Sequence, residues 1–486
     1  MRDRIIGKLA KEKTVLTPKA WERLEKLENP TKVIEKMTNK EDELPFPVCK
    51  ETISCFLNEV IDDDSDDKEE TKKAEDIEEN LKNDVKIECL LDVSGESTCT
   101  GGIDDFKKYF ESKFDTLKSI IENRREGKKA RPISRISKRS GEATIIAMVR
   151  EIHSTSNGNK VLTLEDKSGE IRGFISSDST AYSQNLLEDE VILAKGEVWE
   201  NNGNYDDTFS IDEIRRPGIP KLNNKNDVKF DGKIAFLGDI HVGSDVFLRD
   251  EWDNFISWIN SDDESAKKIK YLIVPGDLVD GIGIFPNQEE ELDIIDINEQ
   301  YRKAAELLGQ IRSDIEIITT PGNHDIVRNA EPQPSLPEDI QKLFPKNVHF
   351  YGNPAMINLE GLDVLIYHGT SINNLSDVLP NVNSKKPTTA QKEMLERRHL
   401  VPVYGKKSAI APEEKDYLAI DEVPDVFVTG HIHRTDVSDY HGVVMINSSA
   451  WQAQTEYQKM RDIQPDPAKV VVFEPQSKKA RIRDFN

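Results

Sequence analysis

Three hydrophobic rhythms divide the chain. Within residues 1–60 the apolar positions keep helical spacing, with Ala20, Leu24 and Leu27 on one stripe. Thr17-Pro18 gives that stripe a start, Thr17 as N-cap and Pro18 at the first helical position, and Asn29-Pro30 repeats the signal. A small helical module is expected there. A strand-like KIECLLDVSGES then leads into an amphipathic helix carrying Phe106, Tyr109, Phe110, Phe114, Leu117 and Ile121 on its core face. Between 142 and 216 the rhythm becomes alternation. ATIIAMVREI, VILAKGEVWE and DTFSIDEI read as strands, and VLTLEDKSGEIRGFI as a hairpin turning at Lys167-Ser168-Gly169. From Lys233 onward short continuous apolar runs take over: KIAFLG, IKYLIV, IEIITT, VLIYHG, DVFVTG and VVMINSS. Helical stretches around Trp252, Phe255, Ile256 and Ile259 and near 298–310 separate the first of them. Short apolar runs alternating with helices predict a layered α/β or α+β sheet.

Length and charge turn these rhythms into domains. A chain of 486 residues is too long for one core, so two or three domains are expected. Five short strands in the 142–216 stretch, with a helical piece near Tyr182–Leu187, suit an OB-fold β-barrel. Residues 61–80 hold eleven acidic and three basic side chains and almost nothing apolar, so they read as a linker. The fold class is therefore multidomain α+β. It comprises a helical module over 1–60, an acidic linker over 61–85, a helical and basic connecting segment over 86–140, the OB-fold barrel over 141–218 and the layered domain over 230–486. A formal charge of −24 argues against a general nucleic-acid coat. Local patches decide binding, however, and residues 124–139 carry eight basic groups against one acidic. Pro132 and the polar spacing make this arm extended. Arg124, Arg125, Lys128, Lys129 and Arg131 are its candidate DNA-binding side chains, the alternative being a solvated linker. No apolar run approaches the roughly 18–20 residues of a membrane span, and MRDRIIGKLAKEK lacks a signal-peptide core, so a cytoplasmic protein without a membrane partner is expected. Cys49, Cys55, Cys89 and Cys99 fit neither a zinc-finger nor a disulfide spacing and read as reduced thiols.

The chemistry gathers at the ends of the apolar runs. Gly-Asp239-Ile-His241, Gly276-Asp277, Gly322-Asn323-His324-Asp325, His368-Gly369 and Gly430-His431-Ile-His433 each set carboxylate, amide or imidazole donors beside a glycine, just after a buried strand. Mixed oxygen and imidazole donors suit Mn²⁺, Fe or Zn²⁺ better than Ca²⁺. The donors suffice for two divalent ions, with Asp277, alone in its cluster, as the bridge. Such a pair binds a phosphodiester and activates a water for in-line attack. His324 is left as a general acid or a stabiliser of developing charge. His153, His349, His399 and His441 have no such setting and read as surface or core residues.

GDIHVGS, PGDLVDG, PGNHD, YHG and VTGHIHRT together resemble the motif series of the calcineurin-like metallophosphoesterases. They are most similar to the branch that places an OB fold before this domain. That branch holds the small subunits of archaeal family D DNA polymerases and the accessory B subunits of eukaryotic replicative polymerases. LLDVSGESTCTGGIDDFKKYFESKFDTL and ARPIS resemble the archaeal members, so the likeness covers roughly residues 85–475; residues 1–60 match only loosely. The eukaryotic accessory subunits have lost the metal ligands, whereas every expected position is filled here. The resemblance implies one ion held by Asp239, His241, Asp277 and His433, a second held by Asp277, Asn323, His368 and His431, and His324 as catalytic histidine. It further implies a manganese-dependent 3′→5′ exonuclease that edits the primer end, a large catalytic polymerase subunit as heterodimer partner, DNA 3′ ends as substrate, contacts with other replisome proteins and a place at the archaeal nucleoid. Two alternatives stay open. A double-strand-break-repair nuclease would need a capping domain, for which the 53 residues after His433 leave little room. A scaffold subunit would carry the site as a relic.

Overall fold

The computed structural model describes residues 87–199, 207–221, 228 and 230–486. The expected helical module and acidic linker lie outside the described residues, as do Cys49 and Cys55; Cys89 and Cys99 are free thiols. Among the described residues no helix is long and apolar enough to cross a membrane.

Strands β1 (Ile87–Leu91), β2 (Glu142–Ser154), β3 (Lys160–Asp166), β4 (Gly169–Ile175), β5 (Val191–Trp199) and β6 (Thr208–Arg215) come first, with helix α1 (Ile103–Glu122) between β1 and β2. The expected barrel is present: β2-β3-β4-β6-β5 close on themselves, β4 and β6 parallel and the other pairs antiparallel. Alternation fills it, since Ile145, Ala147, Val149, Leu162, Leu164, Ile192, Phe209 and Ile211 all point into one core. The basic run is not extended. It winds through three 3₁₀ turns, Gly127–Lys129, Ile133–Arg135 and Lys138–Ser140, because backbone bonds anchor it to the barrel. Arg131 N donates to Thr144 O at 2.8 Å and Ile133 N to Asp166 Oδ2 at 2.9 Å, which drives the Ile133 side chain into the barrel core.

The second body is built on two six-stranded sheets. One runs β10 (Val348–Phe350), β9 (Glu316–Thr319), β8 (Ile269–Val274), β7 (Lys233–Phe236), β16 (Lys469–Glu474), β17 (Lys479–Asp484). The other runs β1, β11 (Ala355–Leu359), β12 (Leu362–Ile366), β13 (Val426–Thr429), β15 (Val443–Asn447), β14 (Asp436–Tyr440). Strands β10, β9, β8 and β7 are mutually parallel, as are β12, β13 and β15; the remaining strands pair antiparallel. Helices α2 (Arg249–Ile259) and α3 (Ile297–Leu308) cover the first sheet through Trp252, Phe255, Tyr301 and Leu308 against Leu272 and Ile317. Helices α4 (Ser371–Val378) and α5 (Thr388–Arg397) cover the second through Leu375 and Met394 against Leu365 and Phe427. The order is helix layer, sheet, sheet, helix layer, which is why these strands are apolar without alternation.

The segment between module and barrel is more than a connector. Strand β1 pairs antiparallel with β11, Ile87 opposite Leu359, and so covers an edge that would otherwise expose unpaired backbone groups. Helix α1 then touches both bodies. Its Tyr109 joins the core of the second sheet, while Phe114, Leu117 and Ile121 pack on Ile146, Met148 and Leu193 of the barrel. A buried ion cluster fixes the same junction. Glu190 lies 3.0 Å from Arg216 Nε and 2.9 Å from Arg397 Nε, and Arg397 Nη2 also donates to Asn185 O at 2.7 Å.

Glu190→Ala leaves the largely buried Arg216 without its carboxylate and Arg397 with Glu393 alone, so denaturant unfolding should show a loss of roughly 3–5 kcal/mol. Glu413 ties the segment after β1 to Arg328, accepting from Ser97 Oγ, Thr98 N and Arg328 Nη2. Burial pushes its pKa up, but bonds from the Ser97 hydroxyl, the Thr98 N–H, Arg328 and Cys99 outweigh burial and hold it at about 2. Its contribution is complete above the ordinary glutamate value of 4.5 and fades as pH falls toward about 2. Glu413→Gln should therefore cost roughly 2 kcal/mol at neutral pH, and that difference should shrink below pH 4.5 in a pH series of unfolding curves.

Candidate metal centre

Five parallel strands deliver the seven donors singled out from the sequence. Asp239 and His241 follow β7, Asp277 follows β8, Asn323 follows β9, His368 follows β12, and His431 and His433 follow β13. The carboxyl ends of both sheets thus meet at one place, and the first backbone link across the junction is the bridge from Asp239 to Ala450. Asp239, His241 and His433 form one cluster and Asp277, His368 and His431 a second, the ligand atoms within each lying inside 4.8 Å of one another. Asp277 faces both, with Oδ2 3.2 Å from His368 Nε2 and 3.8 Å from His241 Nε2. Asn323 Oδ1 is 3.0 Å from His368 Nε2.

The backbone reaches this arrangement through left-handed residues that are not glycine. His241, Asp277, His431 and His433 have φ of 52°, 50°, 66° and 53°. Each such residue costs on the order of 1 kcal/mol, and strain of this kind persists where surrounding structure enforces it. The flanking glycines serve close approach. A Cβ at Gly322 would sit 2.1 Å from Asp277 Oδ1, and one at Gly430 2.3 Å from Asp239 Oδ1.

Hydrogen bonds from outside the cluster aim the imidazoles. His368 Nδ1 is 2.9 Å from Pro275 O, which places a proton on that nitrogen, and His241 Nδ1 is paired with Asp280 Oδ1 at 2.9 Å, so both turn Nε2 toward the cluster. His433 Nδ1 accepts from the Gln458 Nε2–H at 3.1 Å and His431 Nε2 from the Asn373 Nδ2–H at 2.9 Å, which puts the proton of each neutral ring on the nitrogen that faces the cluster. The inward nitrogens then crowd carboxylate oxygens and each other. His241 Nε2 and His433 Nε2 are 2.9 Å apart, His433 Nε2 is 3.3 Å from Asp239 Oδ2, and Asp239 Oδ1 is buried without a hydrogen-bond partner. Buried carboxylates and imidazoles packed this closely need protons or cations between them. Divalent cations fit it: oxygen and imidazole donors converge, and a cation would take the place of the inward protons and satisfy the unpartnered Asp239 oxygen.

The electrostatics agree. Burial pushes Asp277 up, but the imidazoles of His368, His324 and His241 outweigh burial and hold it well below the carboxylate range. Burial lowers His368, but Asp277 overrides it and raises that imidazole, so a proton stands in where a cation could. Burial and the charge on His368 push His431 down to about 3, leaving it a neutral donor. His324 stands apart from the seven. Its N–H donates to Asp277 Oδ1 at 2.8 Å and its Nδ1 lies 2.7 Å from Asp280 O, and at 17% side-chain exposure it is more open than His241, His368 or His433.

Sequence reasoning passed over several members of the site. Asp280, three residues after Asp277 in PGDLVDG, orients His241 through its carboxylate and His324 through its carbonyl. Asp325 was noted without a role. It is fully buried, accepts from Gly322 N at 2.8 Å and Tyr301 OH at 2.9 Å, and is pushed up to about 6 by burial and by Asp277. Asn373 and Gln458 carry no motif and could not have been found. The five basic residues go elsewhere: Arg124, Arg125, Lys128, Lys129 and Arg131 lie on the turns against the barrel, and Arg124 Nη2 is spent on Gly218 O at 2.9 Å. Of the histidines set aside, His399 is buried on Asp416 at 2.9 Å, His349 pairs with Glu316 at 2.6 Å, and His153 is exposed.

The calcineurin-like phosphoesterase family profile matches residues 232–435, the stretch that supplies all seven donors. Full-length relatives extend the likeness in both directions. The DNA polymerase II small subunit of Methanothermobacter thermautotrophicus is 37% identical over 480 residues, 96% of this chain and 97% of that one. That of Archaeoglobus fulgidus is 40% identical over 420 residues, 84% of each chain. The chain belongs to the archaeal DNA polymerase II small-subunit family. Identity reaches 43% with the Methanocaldococcus jannaschii member over 79% of this chain, which spans 65% of that longer relative. In this family member the phosphoesterase domain sits behind a five-stranded barrel, and six of the seven candidate donors gather in two clusters.

Gly322→Ala tests the packing of the site. The added Cβ must displace Asp277 or its backbone, so thermal unfolding should report a loss of roughly 2–4 kcal/mol, while Gly95→Ala, with open space around it but φ of +81°, should cost only about 1 kcal/mol.

Proposed function

We propose that this chain is the small subunit of a two-subunit archaeal replicative DNA polymerase and edits the primer terminus as a metal-dependent 3′→5′ exonuclease. One observation carries the reading: in a member of this family, carboxylate, amide and imidazole groups from five strands converge at one buried place, with one carboxylate oxygen left without a partner. Asp239, His241, Asp277 and His433 would hold one divalent ion, and Asp277, Asn323, His368 and His431 the other. Mn²⁺ is the ion the family resemblance implies, and the same donors suit Fe or Zn²⁺. When bound, two such ions supply Lewis-acid charge for the phosphodiester and lower the pKa of an attacking water.

The chain's own groups would do the rest. His324 commits Nδ1 to Asp280 O, which leaves Nε2 to deliver a proton to the departing O3′ of the penultimate nucleotide. Asp280 fixes both this tautomer and that of His241, so it acts as a positioning residue. The buried surroundings, with Asp239 and His368 at 0% exposure, strengthen every charge interaction at the reacting phosphate. The polymerising reaction would belong to a large partner subunit, and other replisome proteins would meet this chain through it. The exposed basic turns, Arg125, Lys128, Lys129 and Arg131 above all, would contact DNA phosphates, with Arg124 holding the turn to the barrel.

The deciding measurement follows a 3′-labelled and a 5′-labelled single-stranded oligonucleotide with added Mn²⁺, for wild type and His324→Ala, alone and with the large subunit. Stepwise shortening from the 3′ end is expected, abolished by chelator and slowed about 10²–10⁴-fold in the variant. Intact oligonucleotides in every lane would make the centre structural and the chain a scaffold.

A further inference from the structure

Large apolar side chains are left in water beside this centre. Ile282 is 41%, Ile284 36%, Ile326 44% and Met460 79% exposed. These positions stem from the residues that build the site. Ile282 and Ile284 follow Asp280, Ile326 follows Asp325, and Met460 ends the short helix Glu456–Met460 whose Gln458 meets His433. The segments join each other. Phe285 stacks on Tyr457 with ring centres 5.2 Å apart and planes 28° apart, and a Cβ at Gly281 would touch both Ile284 Cγ1, at 3.3 Å, and His324 O, at 2.5 Å. The rim therefore borders His324, the more open flank of the centre.

We infer that this rim is a base-binding platform: Ile282, Ile284, Ile326 and Met460, backed by the Phe285–Tyr457 stack, hold the unpaired bases of a 3′-terminal strand while its phosphodiester enters the donor cluster. The inference rests on the exonuclease reading for the identity of the strand. Three arguments carry it. The donors are almost wholly buried, so a terminal phosphodiester reaches them only if its nucleotide leaves the duplex. Unpaired bases need apolar faces to replace lost stacking, and exposed isoleucine and methionine are side chains that wedge against base steps. The neighbouring carboxylates then decide which part of the strand lies here. Asp245 and Glu291 are pushed up by burial and by neighbouring carboxylates, Glu456 among them, a field that repels phosphates and turns the backbone toward the cluster, leaving bases for the rim. A protein seated on this rim would instead close the flank through which substrate must come.

The test uses the full chain and the double variant I326S/M460S; both side chains are exposed, so the melting temperature should not move. Anisotropy of a fluorescein-labelled single-stranded oligonucleotide in chelator reads binding without metal. Kd for the single strand should rise about 10- to 100-fold in the variant, with that for a blunt duplex unchanged. With Mn²⁺ the KM for single strands should rise in parallel, while hydrolysis of bis(p-nitrophenyl) phosphate stays at the wild-type rate. Unchanged Kd and KM for single strands would overturn the platform and leave the exonuclease standing. Loss of assembly with the large subunit, at unaltered DNA affinity, would overturn it in favour of a protein-docking surface. Wild-type binding that depends on the rim, without any shortening of the strand, would keep the platform and remove the exonuclease.

Discussion

Burying Asp239 and Asp277 side by side under five imidazoles constrains everything around them. Both are 0–1% exposed, and two carboxylates so placed are tolerated only with donors on each oxygen or cations between them. The fold supplies part of this from backbone: His431 N–H donates to Asp239 at 2.8 Å and His324 N–H to Asp277 at 2.8 Å. It supplies more from side chains, through His368 and His241. The left-handed φ at four donor residues and the glycines that clear space for the carboxylates are the local cost of pointing so many polar groups inward. Dense packing of two sheets and four covering helices holds that strained geometry in place.

The same logic of compensated burial recurs at the junction with the barrel. Glu190 sits between Arg216 and Arg397, each of which also donates to the Asn185 carbonyl, so no member of the group is left without a partner. Lys113, 1% exposed on α1, gives its ammonium to Pro402 O at 3.0 Å. These are directional contacts, and they set how the barrel and its basic turns are carried on the phosphoesterase body. Apolar contact from Phe114, Leu117 and Ile121 adds area to the same interface but little orientation.

Site and surroundings have different physical characters. Within the centre, polar groups are buried and aimed by hydrogen bonds. At its open flank the surface turns apolar, and farther off on the barrel it turns basic. The substrate proposed above, with its bases, phosphodiester and charged backbone, would meet each of these where its own chemistry requires it.

Local sequence determined a good deal. The period-two stretch from Glu142 to Arg215 could only be half-buried strands, because alternation is how a barrel separates its two faces. The apolar runs ending in Asp239, Asp277, Asn323, His368 and His431 announced strands with donors at their carboxyl ends, since a donor after a buried strand projects where helices do not cover it. Other features were decided by tertiary structure alone. Pro132 and the polar spacing suggested an extended arm, but anchoring to Thr144 and Asp166 wound it into turns. The sequence named the donors, yet their division into two facing clusters depends on two sheets meeting at their carboxyl ends, a pairing no local signal encodes. Asp280 sat within a recognised motif, but only its 2.9 Å approach to His241 gave it a role. Asn373 and Gln458 are ordinary amides on ordinary helices, and nothing in residue type or spacing distinguishes them. Neighbour interactions within a few residues leave a pattern in the sequence; contacts across tens or hundreds of residues leave none, and it is those contacts that turn a series of polar strand ends into a single site.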